Sequence, residues 1–286
     1  MSIILGGVLS LLASFSQGLT VPRSGSPLQA NASAIAPSAG KAGYGKVLLY
    51  VTTQMSQNHE AFLNTCWPKA TAASKLLRNS DVLVYVTGPG PDAELLERAF
   101  PHADGSRSVQ VKMVRNPGYH EGAMLAMAQA MREGWFEGYD WVVRLNPDVI
   151  LRDEAPLLEA LGGSGIDGVF INCHHGWGKA KVQTDFFAMR PDRLPADAFK
   201  EFNEEKCSKL DEWGLKADAE CNAEWSATQA FSEILEDRSR FVWLKGAGPP
   251  VGTDMCRVTG PTVIHNHTYI SACDGDEWQT WGSGAM

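Results

Sequence analysis

Residues 140–149 read Asp-Trp-Val-Val-Arg-Leu-Asn-Pro-Asp-Val, an apolar run that ends in Asn146-Pro147-Asp148. Two oxygen-bearing side chains at a rigid turn beyond a strand stand where open α/β sheets bind ligands. Oxygen donors of this kind suit a hard divalent ion. Such an ion can hold a diphosphate and neutralise the charge that develops on a leaving group. The same composition also makes an Asx-turn that does no more than end a strand. His265 and His267 stand two apart in a short extended segment, and one of them, as a neutral imidazole, can complete a shell begun by Asp148 and Asn146. Asp254 and Asp274 are close enough in sequence to contribute. A pair of histidines that merely lies on the surface is the plainer alternative.

Three further segments carry chemistry. Gly118-Tyr119-His120-Glu121-Gly122-Ala123 precedes a helical pattern. Its glycines let the backbone approach a ligand, and the helix start favours an anion at Tyr119 to Gly122, although the segment serves equally well as a helix cap. His174-His175-Gly176-Trp177-Gly178-Lys179 lies between two strand patterns. Trp177 can stack on a sugar face, while His174, His175 and Lys179 can hydrogen-bond hydroxyls or phosphate; two adjacent histidines do not make a zinc site. Asp185 sits at the start of an apolar strand pattern, able to bind a hydroxyl or to cap local backbone.

These residues need elements to position them. Strand patterns cover 46–53, 81–87, 108–114, 141–145, 168–172, 184–189 and 240–244, each a short apolar or β-branched run bounded by polar or glycine-rich residues. Residues 261–267 form a C-terminal strand or loop. Helical spacing covers 60–77, with Pro68 marking a boundary or kink, then 93–100, 122–134, 198–213 and 220–235. The methionines at 124, 127 and 131 read as core filling. Alternating β and α units predict a mostly parallel central sheet flanked by helices, with the reactive groups beyond the strand ends.

With 286 residues, 44% hydrophobic and 20% charged, the chain can bury a sizeable core and is neither collagen-like nor disordered throughout. A net charge of −8, with no concentrated basic stretch, argues against a nucleic-acid partner. Residues 3–15 are apolar but short for a bilayer span, so 1–19 read as a signal peptide, or as an anchor that gives membrane association through the N-terminus alone. Residues 20–42 are rich in Ser, Pro, Ala and Gly and read as a stem, leaving 43–286 as one catalytic domain. Six well-spaced cysteines suggest disulfides in an oxidising compartment, with Cys207/Cys221 and Cys256/Cys273 as plausible local pairs. Asn31 and Asn266 match the N-glycosylation acceptor pattern. Together these features predict a protein of the secretory pathway, in the Golgi or ER lumen or secreted.

Over roughly residues 45–270 the sequence resembles the nucleotide-sugar-dependent glycosyltransferases of GT-A fold. The resemblance rests on the order of its parts: an early strand and helix, Asn116 to Ala123 before a helix, a strand running into Asn146-Pro147-Asp148, then Thr184 to Pro191, and a late His265/His267. In that family an Asp-x-Asp motif holds Mn2+ or Mg2+ against the donor diphosphate, often joined by a C-terminal histidine. Here Asn146 replaces the first Asp, which leaves Asp148 the stronger ligand. The resemblance implies sugar transfer from a UDP- or GDP-sugar to a hydroxyl of a glycan or glycoprotein. Arg144 is then placed to neutralise phosphate or to pair within the fold, and Asp185 to act as general base if the reaction inverts the anomeric centre. Two other readings use the same residues: a secreted metal-dependent hydrolase, and a lectin-like module that binds sugar through the Trp177 loop.

Overall fold

The computed structural model describes residues 43–88, 90, 92–101, 109–114, 119–173, 181–200, 223–244, 258–259, 262–265 and 273. The proposed leader, the stem, the 174–179 loop, His267, Asp254, Asp274 and both glycosylation acceptors lie outside the described residues. Among the described residues, no helix is long and apolar enough to cross a membrane.

β1 (Val47–Thr53) is buried throughout, and so is β2 (Asp81–Thr87). Between them run α1 (Gln57–Ala73) and α2 (Lys75–Asn79). α3 (Ala93–Ala99) leads to β3 (Val109–Val114), and α4 (Tyr119–Arg132) to β4 (Trp141–Leu145). β5 (Val149–Leu151) and α5 (Ala155–Leu161) follow, then β6 (Gly168–Cys173), β7 (Lys181–Met189) and a 3-10 turn at Pro191–Arg193. α6 (Ala223–Ala230), α7 (Ser232–Glu236), β8 (Phe241–Trp243), β9 (Val258–Thr259) and β10 (Val263–His265) complete the described elements.

The fold is α/β, with a seven-stranded sheet in the order β3-β2-β1-β4-β7-β6-β8 and a small sheet in the order β5-β10-β9. In the large sheet only β7 runs against its neighbours, so the expected mostly parallel sheet is what forms. Alternation along β1 sends Leu49 and Val51 to a core shared with α1, α2, α3 and α5. Leu48 and Tyr50 go to the opposite core, shared with α4, α6 and α7. Helices thus cover both faces, as parallel sheets require. Met124 and Met127 are fully buried in the second core, filling space as their spacing suggested. Tyr50 donates its hydroxyl to the Ala126 carbonyl of α4 at 2.8 Å, and burial pushes its phenol well above the ordinary value, so it stays a neutral donor.

Several elements differ from the sequence reading. The helix expected over 60–77 begins at Gln57, where the Ser56 hydroxyl accepts from His59 N–H, and runs past Pro68 to break at Ser74. There an extended backbone ends α1, and the Ser74 hydroxyl caps α2 by accepting from Leu77 N–H. The helix expected at 122–134 starts at Tyr119, so the glycine segment forms its first turn rather than a loop before it. The 220–235 pattern is two helices broken at Phe231. Residues 198–200 are not helical, and most of that expected helix lies outside the described residues. The Cys256/Cys273 pairing is corrected: Cys273 is bonded to Cys66 of α1, with Cα atoms 5.1 Å apart. Local spacing favoured the nearer cysteine, but the packing of α1 brings residue 273 to it from 207 positions away. Cys207 and Cys221 lie outside the described residues.

Candidate active site

The chain leaves β1 toward β2 and β3 on one side and returns to β4 on the other. The C-terminal ends of β1 and β4 therefore flank a topological switch point, the crevice in which open α/β sheets bind ligands. A cleft of about 270 Å3 opens there. It is lined by Thr52 and Thr53 from the end of β1, Thr87 from β2, Gly122 from the first turn of α4, and Arg144, Asn146 and Asp148 from β4 and its turn. Thr184 and Asp185 of β7 and Glu224 of α6 close the remaining side.

Asn146-Pro147-Asp148 forms a tight turn in which Val149 N–H donates to the Asn146 carbonyl at 3.0 Å, with proline at the position that favours its fixed φ. Trp67 of α1 donates its indole N–H to the Pro147 carbonyl at 2.7 Å, which anchors the turn from the opposite layer. β5 begins at once, and its antiparallel register sets Val149 opposite His265. That pairing brings the late histidine beside Asp148. His265 Nε2 lies 3.7 Å from Asp148 Oδ2 and 3.4 Å from Asp185 Oδ2. Asp148 and His265 are each 1% exposed, so their mutual attraction is weakly screened.

Asn146 is held by side chains on three sides. Its Oδ1 accepts from Thr52 Oγ1 at 2.7 Å and from Arg144 Nη2 at 3.3 Å, and its Nδ2 donates to Asp185 Oδ1 at 2.5 Å. Arg144, buried to 1% exposure, also donates to Thr52 Oγ1 at 2.9 Å. A guanidinium fixed in this way is a permanent positive charge at the cleft.

β7 reaches the site through an irregularity. Between Phe170↔Phe187 and Asn172↔Val182, two residue steps on β6 are matched by five on β7. The excess residues fall at Gln183, Thr184 and Asp185, and a bulge there re-aims consecutive side chains. Gln183 Nε2 meets His265 Nδ1 at 2.8 Å, Thr184 Oγ1 donates to Glu224 Oε1 at 2.9 Å, and Asp185 takes the Asn146 amide.

The structure therefore unites Gly122, Arg144, Asn146, Asp148, Asp185 and His265. Tyr119 opens α4 close by in the chain. His174, His175, Trp177, Lys179 and His267 lie outside the described residues. Reading the sequence missed His59, Thr53, Gln183 and Glu224. His59 Nε2 lies 3.7 Å from Asp148 Oδ1, and its Nδ1 meets Thr53 Oγ1 at 2.9 Å. Thr53 Oγ1 also accepts from Met55 N–H at 2.9 Å and so supports Met55 at a φ of 49°, a left-handed conformation costly for a residue with a side chain. One signal pointed to His59: it lies just after the first strand, three residues beyond the capping Ser56.

No protein-family model matches the chain, and no curated protein is similar to it in sequence. Solved structures are similar to it at low identity. A protein assigned to the nucleotide-diphospho-sugar transferases, from Desulfovibrio desulfuricans G20, matches at 12% identity and a TM-score of 0.42, over 70% of this chain and 79% of that one. A mannosyltransferase from Pyrobaculum calidifontis, solved with GDP-Man and Mn2+, matches at 13% identity and a TM-score of 0.42, over 77% of this chain and 61% of that one. Mouse xyloside xylosyltransferase 1 matches at 10% identity and a TM-score of 0.40, over 70% and 85%.

Proposed function

We propose that the cleft binds a nucleotide-sugar donor and transfers its sugar to a hydroxyl of a glycan or glycoprotein. The observation that carries this reading is the Asn-Pro-Asp turn at the switch point, with His265 brought against Asp148 by the β5–β10 register. A buried arginine, two carboxylates and an imidazole at one strand-end crevice suit a ligand that is both anionic and rich in hydroxyls.

Among the described residues, no three of His, Cys, Asp and Glu are gathered to hold a metal ion on their own. Asp148 Oδ2 and His265 Nε2, 3.7 Å apart, are still nearer than two metal–ligand bonds of about 2.1 Å laid end to end. Carboxylate oxygen suits Mg2+ and Mn2+, and such ions are commonly held by one or two protein ligands together with substrate phosphates. The residues fit that arrangement, with Asp148 and His265 as the protein ligands. The bound ion would neutralise charge developing on the departing diphosphate. Arg144 supplies fixed positive charge through Thr52 and Asn146, which it orients. The first turn of α4 presents backbone at Gly122 to the same space. Asp185 and Glu224 are the carboxylates available to an incoming hydroxyl, and replacing each with its amide separates them by which loss abolishes turnover. Residues 43–286 act in this reading as the catalytic domain, behind a leader or anchor and a stem. The Cys66–Cys273 disulfide supports a lumenal or secreted location, since such bonds persist in oxidising compartments.

The test is calorimetric titration of the full chain with UDP and with GDP, in Mn2+ or in chelator. One nucleotide binds at micromolar concentration, chelator removes the binding, and Mn2+ alone binds more weakly than Mn2+ with nucleotide, because the diphosphate completes its shell. Asp148→Ala, folded by circular dichroism, loses at least ~10-fold in metal-dependent affinity. Binding of free glycans with no response to either nucleotide would instead favour a carbohydrate-binding module.

A further inference from the structure

Gln183 is fully buried, at 0% exposure, and its amide lies 2.8 Å from His265 Nδ1. The other ring nitrogen of His265 is the one that faces the carboxylates of Asp148 and Asp185, at 3.7 and 3.4 Å. A neutral imidazole has one proton to place. With the amide nitrogen donating to Nδ1, that proton sits on Nε2, aimed at two carboxylates. A divalent ion held at Nε2 needs a lone pair there, so the proton must sit on Nδ1, and Nδ1–H then needs an acceptor. An amide offers both, because a half-turn about its terminal torsion exchanges nitrogen for oxygen, and that torsion is broad and two-fold. Glutamate at this place could only accept, and it would add a third buried negative charge beside Asp148 and Asp185.

We propose that Gln183 is the positioning residue that switches the tautomer of His265, its amide nitrogen meeting Nδ1 in the metal-free protein and its amide oxygen accepting from Nδ1–H when a divalent ion and a nucleoside diphosphate are bound. This inference rests on the metal-assisted reading above. Each of the two tautomers carries one ring proton, so the exchange balances: the proton given up at Nε2 is matched by one taken up at Nδ1. The location of Gln183 in the β7 irregularity is consistent with this role, since three consecutive residues there each address a different partner across the site.

The full chain labelled with 15N-histidine reports the tautomer directly through long-range nitrogen–proton correlations, with His265→Gln identifying the signal. The expected result is the Nε2–H pattern without metal and the Nδ1–H pattern on adding Mg2+ with UDP or GDP. In parallel calorimetry, Gln183→Glu binds Mg2+ with nucleotide at least as tightly as wild type and shows Nδ1–H before loading. Gln183→Met, similar in length but unable to hydrogen-bond the ring, loses about 10–100-fold in the metal-dependent affinity and, like the wild type, binds neither nucleotide in chelator. An Nε2–H pattern that survives loading proven by calorimetry overturns this inference and leaves the metal-assisted reading standing. So does a folded Gln183→Met that binds as wild type. A wild-type chain that takes up Mg2+ with neither nucleotide overturns both.

Discussion

Asn146 holds its place through a donor and an acceptor that a carboxylate cannot both supply. Its amide oxygen takes the Arg144 and Thr52 donors, and its amide nitrogen gives a 2.5 Å bond to Asp185. Placing a carboxylate at 146, as an Asp-x-Asp pattern would have it, is therefore expected to harm the protein. Asn146→Asp replaces that bond with two carboxylates in contact and costs about 1–3 kcal/mol, since a buried group loses its donor. The melting temperature falls by roughly 2–4 °C for each kcal/mol in a chain of this size. Adding Asp185→Asn restores a donor opposite an acceptor, so the double variant melts above Asn146→Asp alone. Thermal melting followed by circular dichroism checks both statements. Asn146 was visible in the sequence as a departure from a pattern, but its partners were not. Asp185 lies 39 positions away and Thr52 lies 94, and only sheet order makes them neighbours.

At the scale of elements, a single carboxylate organises the junction between two helices. Glu154, just before α5, accepts from Ser74 Oγ at 2.6 Å and from the backbone N–H groups of Lys75 and Leu76 at 3.1 and 2.9 Å. An anion at the start of α2 satisfies donors that a helix start leaves open. Glu154→Ala is expected to lower stability by ~1–2 kcal/mol in urea unfolding, with an unchanged slope and little effect on nucleotide binding. Elements of this kind were unevenly legible. β2 and β4 begin and end where their apolar runs do, because a strand buried on both faces leaves an unbroken hydrophobic signature. β5 and β9 are three and two residues long and carry no periodicity to read. The break at Phe231 was hidden because the apolar spacing continues through it, while the backbone turns out of the helix. The β7 irregularity that aims Gln183, Thr184 and Asp185 is a mismatch between two strands, so no feature of β7 alone announces it.

For the whole molecule, the bond between Cys66 and Cys273 ties α1 to a residue far along the chain, and Lys69 adds a hydrogen bond from its ammonium to the Cys273 carbonyl. α1 also carries Trp67, which fixes the Asn-Pro-Asp turn, and His59, which faces Asp148. Removing the bond by Cys66→Ala with Cys273→Ala is expected to cost about 2–5 kcal/mol, because the unfolded chain regains the freedom of a very long loop. Chemical unfolding with and without reductant checks this: reductant destabilises the wild type and leaves the double variant unchanged if no other bond contributes. Two faces of helices around one mostly parallel sheet were legible from the alternation of strand and helix patterns. This long-range bond was not, because spacing ranks cysteines by nearness in sequence, whereas Cys66 and Cys273 meet through tertiary packing.

That bond also orders events during synthesis. Cys66 leaves the ribosome 207 residues ahead of its partner, an interval of ~10–40 s at about 5–20 residues per second. Four other cysteines, at 173, 207, 221 and 256, emerge in between. Under oxidising conditions each of them is a competitor that Cys66 meets before Cys273 exists. β1 precedes Cys66 and β2 to β4 follow it within the first part of that interval, so the strands against which α1 packs are synthesised before Cys273 exists. Full-length chains oxidised from the denatured state, where all six thiols can pair, are therefore expected to pass through non-native pairings and to reach the Cys66–Cys273 bond faster with disulfide isomerase present, as peptide mapping over time checks.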